Sequence, residues 1–225
     1  MRICVYASSS TRTSDRFMAA GRRLGSLIAE RGHTLVNGGG KAGGMGALNE
    51  GCRSKGGKIV CVIHERFVVD GQEFEGAEER VVAGGDDLGE RKRLLVANCD
   101  ALVVMPGGVG TLDEMWEAAA LQQLGFKSSR PVVLVNIDGY YDATLAQLQR
   151  AHDEGLTSKP PATILHSVPD VDAALAWCET QASADVYTAG NRAFSRAPAT
   201  PPGAVFAAGV ACGAALALAL GGRRS

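Results

Sequence analysis

Ala101-Leu102-Val103-Val104-Met105-Pro106-Gly107-Gly108-Val109-Gly110-Thr111-Leu112-Asp113-Glu114 decides how the chain is read. An unbroken apolar run meets a proline and a cluster of glycines, and a helical pattern starts at once. A strand that is apolar on both faces belongs to a sheet covered by helices on both sides. The same pattern recurs along the chain. Residues 3–6, 34–36, 58–63 and 131–136 read as further strands, and residues 16–31, 45–55, 112–124, 141–154 and 171–181 as helices. Strands alternating with helices predict an α/β fold with a Rossmann-like, doubly wound parallel sheet. The expected organisation is a single domain over residues 1–182, a linker over 183–202 and an apolar tail over 203–225. Residues 67–90, acidic and glycine-containing, are expected to cross the mouth of the sheet as a long loop or short helix.

The ends of three strands carry the chemistry. The first turn is Ala7-Ser8-Ser9-Ser10. The second is Gly38-Gly39-Gly40, continued by Gly43-Gly44-Met45-Gly46. The third is the proline–glycine turn of residues 106–111. In a parallel α/β sheet, ligands bind outside the carboxyl ends of the strands. Glycines let backbone N–H groups approach a phosphate, and a helix N-terminus adds a favourable dipole. One such turn needs no more than a tight βα connection. Three converging on one sheet edge point to a phosphate-bearing ligand. Neither GxxxxGK[ST] nor a GxGxxG after the first strand is present, so the P-loop and the usual dinucleotide fingerprint are not supported.

Two charged positions flank these turns. Thr111 and Glu114 are three residues apart and share a helix face, so both point toward one cavity. The same spacing is a T-x-x-E capping box, with Thr111 as cap, and taken alone that reading is preferred. Arg91 and Lys92 open the helix before the fourth strand. Cations are mildly unfavourable there, and an anionic ligand nearby would explain them, as would a solvated basic helix start.

Composition excludes several classes. The chain has 225 residues, 46% of them hydrophobic, and a formal charge of −1. It can bury a core, and it lacks the broad basic face of a nucleic-acid binder. Glycine supplies 29 residues, about 13% of the chain against a usual ~7%. The six cysteines, Cys4, Cys52, Cys61, Cys99, Cys178 and Cys212, are scattered without a CxxC pair. They read as free thiols in a reducing, cytoplasmic setting. His33, His64, His152 and His166 show no metal spacing, so no metal or cofactor is expected. Asp138-Gly139 reads as a turn, and Tyr140 and Tyr141 as packing residues. Residues 203–220 carry no charge and include a Gly209-x-x-x-Gly213 step. That makes them a candidate membrane anchor, with an unstructured Ala-rich tail as the alternative.

The stretch from Val36 to Leu124 resembles the LONELY GUY family, the cytokinin riboside 5′-monophosphate phosphoribohydrolases often mislabelled as lysine decarboxylases. Its PGGxGTxxE hallmark stands at residues 106–114, its R-K at Arg91-Lys92 and its GGG…GxMG element at residues 38–46. Gln123-Leu124-Gly125 and residues 136–141 match as well. The similarity covers about residues 2–160. It implies a homodimer that cleaves the N-glycosidic bond of a purine nucleoside 5′-monophosphate to free base and ribose 5-phosphate.

The resemblance implies Arg91 and Glu114 as the catalytic pair. Ser8, Ser9, Gly39, Gly40, Met45, Gly46, Lys92, Gly107, Gly108, Val109, Gly110, Thr111, Leu112 and Asp113 are the expected substrate- and phosphate-binding residues. A family carboxylate in the loop after the third strand falls on Glu73 or Glu75. The sequence departs from the family at Tyr6-Ala7, at Leu88-Gly89 and at Ala120-Leu121. Two other functions fit the same fold. One is a general purine-nucleotide nucleosidase. The other is a non-catalytic nucleotide-binding protein akin to molybdenum cofactor carriers.

Overall fold

The computed structural model describes residues 1–126 and 129–183. The strands are β1 (Arg2–Tyr6), β2 (Thr34–Asn37), β3 (Lys58–His64), β4 (Glu79–Ala83), β5 (Ala101–Val104), β6 (Val132–Val135) and β7 (His166–Val168). They form one seven-stranded sheet in the order β4-β3-β2-β1-β5-β6-β7. Every pairing is parallel. The helices are α1 (Asp15–Glu30), α2 (Gly43–Ser54), α3 (Glu65–Val69), α4 (Gly89–Ala97), α5 (Val109–Leu124), α6 (Asp142–Asp153), α7 (Pro161–Ile164) and α8 (Val171–Ser183). This is the expected Rossmann-like α/β architecture.

The strand period of two divides the core between the sheet's faces. In β1, Ile3 and Val5 join Leu24, Ile28, Leu48 and Leu175 on one face. Cys4 and Tyr6 join Leu95, Met115, Tyr141 and Leu148 on the other. Helices α1 and α2 pack closely because glycines line their contact. A Cβ at Gly25 would fall onto the Leu48 carbonyl and lie 2.8 Å from the Cys52 nitrogen. One at Gly21 would lie 2.9 Å from the Gly44 carbonyl oxygen.

Two strands were not anticipated, and both lie at sheet edges. The segment expected as a long loop or short helix contains β4, whose pattern exposes Glu79 and Arg80 and buries only Ala83. At the opposite edge, β7 has three residues, none fully buried. Edge strands are kept short and charged against aggregation, and this erases the apolar run that marks an interior strand. The five cysteines among the described residues, Cys4, Cys52, Cys61, Cys99 and Cys178, are free and buried. Burial pushes the thiols of Cys52, Cys61 and Cys178 up to about 12, which keeps them protonated and unreactive.

Apart from Ser183, which closes α8, the expected linker and the apolar tail with its candidate anchor lie outside the described residues. Among the described residues, no helix is long and apolar enough to cross a membrane.

Gly25→Val should destabilise the folded state by about 1–3 kcal/mol, because the added side chain meets fixed backbone. A lowered denaturation midpoint at unchanged slope checks this.

Candidate active site

Between β1 and β5 the sheet order reverses direction. Helices after β1 and β2 cover one face, and those before and after β5 cover the other. A crevice therefore opens at the carboxyl ends of these strands. It holds a cavity of about 730 Å³.

The first two turns are built on each other. The Met45 N–H donates to the Ser8 carbonyl at 3.0 Å. The Thr13 hydroxyl donates to Ser8 Oγ at 2.9 Å. Gly43 has φ +62°, and a Cβ there would sit 2.6 Å from the Ser10 carbonyl oxygen, so only glycine fits. The triple glycine is held from beneath by two fully buried asparagines. Asn37 Oδ1 accepts the Gly39 N–H at 2.8 Å, Asn37 Nδ2 donates to Asn49 Oδ1 at 2.5 Å, and Asn49 donates to the Gly40 carbonyl at 3.2 Å. The loop after α3 straps across this turn: Phe74 N–H donates to Gly39 O at 2.8 Å and Lys41 N–H to Gln72 O at 3.1 Å.

Arg91 lies in the first turn of α4 but points inward and is only 8% exposed. Its Nε donates to the Val62 carbonyl at 3.1 Å, and one terminal nitrogen reaches the Gly38 carbonyl at 3.4 Å. The other terminal nitrogen pairs with Glu114 Oε1 at 2.9 Å. A Cβ at Gly38 would collide with the guanidinium, so this glycine serves the arginine. The Glu114 side chain is 12% exposed. Burial pushes its carboxyl above the ordinary value, although Arg91 pulls the other way.

Lys92 is committed differently. Its ammonium contacts Glu117 at 2.5 Å and Asp113 at 3.1 Å. The bond from Glu117, with a smaller one from Asp113, raises its pKa and keeps it charged.

Helix α5 starts three residues earlier than a Thr111 cap requires. Gly108 is the N-cap and makes no side-chain cap. Thr111 stands three residues inside and is buried, so the T-x-x-E spacing is not a capping box here. That removes the structural explanation preferred for Glu114. The glycines of this turn divide in two. A Cβ at Gly107 would run into the Thr111 side chain, whereas at Gly108 and Gly110 it would meet nothing within 4 Å. Neither of the latter two has positive φ. The fold itself therefore does not demand glycine at either position.

Of the expected residues, Ser8, Ser9, Gly40, Met45, Arg91, Lys92, Gly108, Val109, Gly110, Thr111, Asp113 and Glu114 line the cavity. Gly39, Gly46, Gly107 and Leu112 do not. Gly39 turns the chain at φ +75°, Gly46 packs on the Lys41 backbone, Gly107 lies against Thr111, and Leu112 packs on the core. Neither carboxylate of the loop lines the cavity; Gln72 does, and Glu73 pairs with Arg80 at 2.5 Å. His64 is structural: its Nδ1 caps α3 and its Nε2 lies 3.0 Å from the Gly85 carbonyl oxygen. Sequence reading did not find the apolar wall of Ile63, Phe67 and Leu88. Its members come from separate elements, with no shared spacing to mark them.

A family model described as "Possible lysine decarboxylase" matches residues 45–178. The cytokinin riboside 5′-monophosphate phosphoribohydrolase LOG7 of Arabidopsis thaliana is 34% identical over 169 residues, covering 75% of this chain and 76% of that protein. This chain belongs to the LONELY GUY family. The rice (Oryza sativa subsp. japonica) enzyme LOG is 35% identical over 171 residues, covering 75% of this chain and 68% of its own. Membership places the chain among the phosphoribohydrolases, which are N-glycosyl hydrolases. Among solved structures, the molybdenum cofactor carrier protein of Chlamydomonas reinhardtii superposes with a TM-score of 0.61 at 22% identity, covering 81% of this chain and 98% of that one. The molybdenum cofactor binding protein of Rippkaea orientalis gives 0.59 at 19%, covering 80% and 95%. These likenesses show a fold that the LONELY GUY family shares with them.

The raised Glu114 carboxyl has a consequence for stability. A group whose pKa rises on folding contributes stability below its unfolded pKa and loses it as pH rises through the folded value. The stability of the wild type relative to Glu114→Gln should therefore fall as pH rises from about 4, the unfolded carboxyl range, toward neutrality. Denaturant titrations of both proteins at several pH values in that span measure the difference.

Proposed function

We propose that this chain hydrolyses the N-glycosidic bond of a purine riboside 5′-monophosphate, releasing the free base and ribose 5-phosphate. The observation that carries the reading is the buried Arg91–Glu114 pair in the same cavity as three phosphate-type turns. Cleavage of a ribosyl bond builds positive charge on the sugar, as in glycoside hydrolysis. The Glu114 carboxylate, in a site of low dielectric, stabilises that cation and orients the attacking water. Electrons of the breaking bond leave with the purine, and water adds its oxygen to the anomeric carbon. Arg91 offsets the negative charge on the departing base. A guanidinium stays protonated, so it acts as an electrostatic partner, and the purine takes its proton from water.

The first-turn N–H groups of α5 and the Gly108–Gly110 backbone hold the phosphate. Ser8 and Ser9 add polar atoms from the first turn. The Ile63, Phe67 and Leu88 wall suits an apolar substituent on the purine, which favours a cytokinin nucleotide over plain AMP.

The proposal includes a homodimer. Trp116, Ala120 and Leu124 lie four residues apart along α5 and are all exposed, an apolar stripe of the kind that a second copy covers. Sedimentation should give a dimer, and Trp116→Glu with Leu124→Glu should give a monomer.

Purified full-length protein with AMP and with isopentenyladenosine 5′-monophosphate tests the chemistry by product analysis. Arg91→Ala and Glu114→Ala should each lower turnover by about 10²–10⁴-fold without unfolding the protein. Release of isopentenyladenine well above adenine supports the cytokinin substrate. Equal release of both bases points to a general nucleotide nucleosidase. Nucleotide binding without any base release would overturn the hydrolase reading, and full activity in either variant would overturn the residue roles.

A further inference from the structure

We propose that Tyr140 is a positioning residue whose phenol, by holding the Gly107 carbonyl, aims the Gly108 N–H at the ligand phosphate. The inference rests on the phosphate-binding reading given above. It starts from two hydroxyls on the turn after β6. Tyr140 donates to the Gly107 carbonyl at 2.5 Å, and Tyr141 donates to the Met105 carbonyl at 2.7 Å. Residues 33 and 36 positions downstream thus clamp the two carbonyls that bracket Pro106.

The two clamps differ in what they control. A peptide group is planar, and in the trans form its C=O and the next N–H point in opposite directions. No peptide bond in the described residues is cis. Fixing the Gly107 carbonyl toward Tyr140 therefore fixes the Gly108 N–H away from it. Gly107 and Gly108 are both glycines, so the peptide between them turns over more readily than any other in the loop. A donor that grips the carbonyl removes that freedom before the ligand arrives. Gly108 is the N-cap of α5 and lines the cavity, and no side chain caps this helix start. The Met105 carbonyl is followed by Pro106, which has no N–H. Tyr141 therefore holds the chain without aiming a donor.

The turn that carries Tyr140 is itself built to hold the ring in place. Asp138 has φ 51°, an unusual left-handed conformation for a residue other than glycine. Its carboxylate is gripped by Arg16 at 2.7 Å. Asn136 Oδ1 accepts the Tyr141 N–H at 2.6 Å, while its Nδ2 donates to Asp142 at 2.7 Å. The Tyr140 ring meets Phe17 edge-on at 5.5 Å and Tyr141 at 4.9 Å. These contacts involve the ring alone. Removing the hydroxyl leaves them intact, which separates packing from positioning.

The test uses the full-length protein and two reaction products, neither of which turns over: ribose 5-phosphate, which carries the phosphate, and adenine, which does not. Isothermal titration should show wild type binding both. Tyr140→Phe should lose about tenfold in affinity for ribose 5-phosphate, the scale of one charge-assisted hydrogen bond, with adenine unchanged. Its KM for AMP should rise in step while kcat stays within about twofold, since an interaction made equally before and during reaction acts on KM. Tyr141→Phe should melt at a lower temperature yet bind ribose 5-phosphate as wild type does. If wild type fails to bind ribose 5-phosphate, the phosphate reading falls and takes this inference with it. If wild type binds it and Tyr140→Phe binds it equally well, only the role of Tyr140 is overturned. Equal weakening of both ligands would also overturn it, as a distortion of the whole cavity.

Discussion

The Arg91 guanidinium joins the Val62 carbonyl of β3, the Gly38 carbonyl beyond β2 and the Glu114 carboxylate of α5. A charge this deeply buried costs several kcal/mol unless it is paired and hydrogen-bonded. The neighbouring features can be understood as ways of meeting that requirement. Gly38 lacks a side chain because the guanidinium occupies the space, and α4 starts at Gly89 so that its first turn faces the crevice. Glu114 is drawn to the inner face of α5, where burial lifts its carboxyl pKa and the arginine restrains the rise. A pair held in this tension has a charged and a neutral form closer in energy than an exposed carboxylate would have. Such pairs concentrate at functional sites.

Around that pair the glycines fall into two kinds. Gly38, Gly43 and Gly107 are required by protein atoms that would otherwise collide with a side chain. Gly108 and Gly110 are required by nothing in the protein. The contrast separates glycines that folding requires from two that it does not, and the bare backbone at those two is what the proposed phosphate site uses. The site draws on three strand ends and two helix starts, and a parallel sheet brings these together at its switch point whatever their separation in the chain. The buried thiols stay apart from this. They sit in the two core layers, packed as small apolar groups.

Charge partners were the least legible part of the site. Lys92 has the look of a free phosphate ligand beside Arg91, yet Asp113 and Glu117 hold it. Those acids lie 21 and 25 positions away in sequence, and only the packing of α4 beside α5 brings them to it. The pairing of Glu73 with Arg80 and the buried Asn37–Asn49 bond were hidden for the same reason. Thr111 misled in another way. A cap depends on where the helix starts, and a shift of the start to Gly108 turns a cap spacing into an interior one.

The sequence by itself determined the parallel α/β class, the interior strands and the three turns. Each of these is written in local pattern: unbroken apolar runs, helical spacing, and glycine at fixed offsets from a strand end. Arg91 and Glu114 stood out as a pair only through the family resemblance. Residues 79–83 and 166–168 escaped because an edge strand is exposed along one side and carries no interior signature. Tertiary structure alone decided which carboxylate meets which cation, which apolar side chains wall the cavity, and that Tyr140 and Tyr141 grip the carbonyls of a turn more than thirty residues upstream. The physical reason is range. Backbone preference and burial pattern act over a few residues and leave their mark in the sequence, whereas hydrogen bonds and ion pairs act over about 3 Å in space and are blind to separation along the chain.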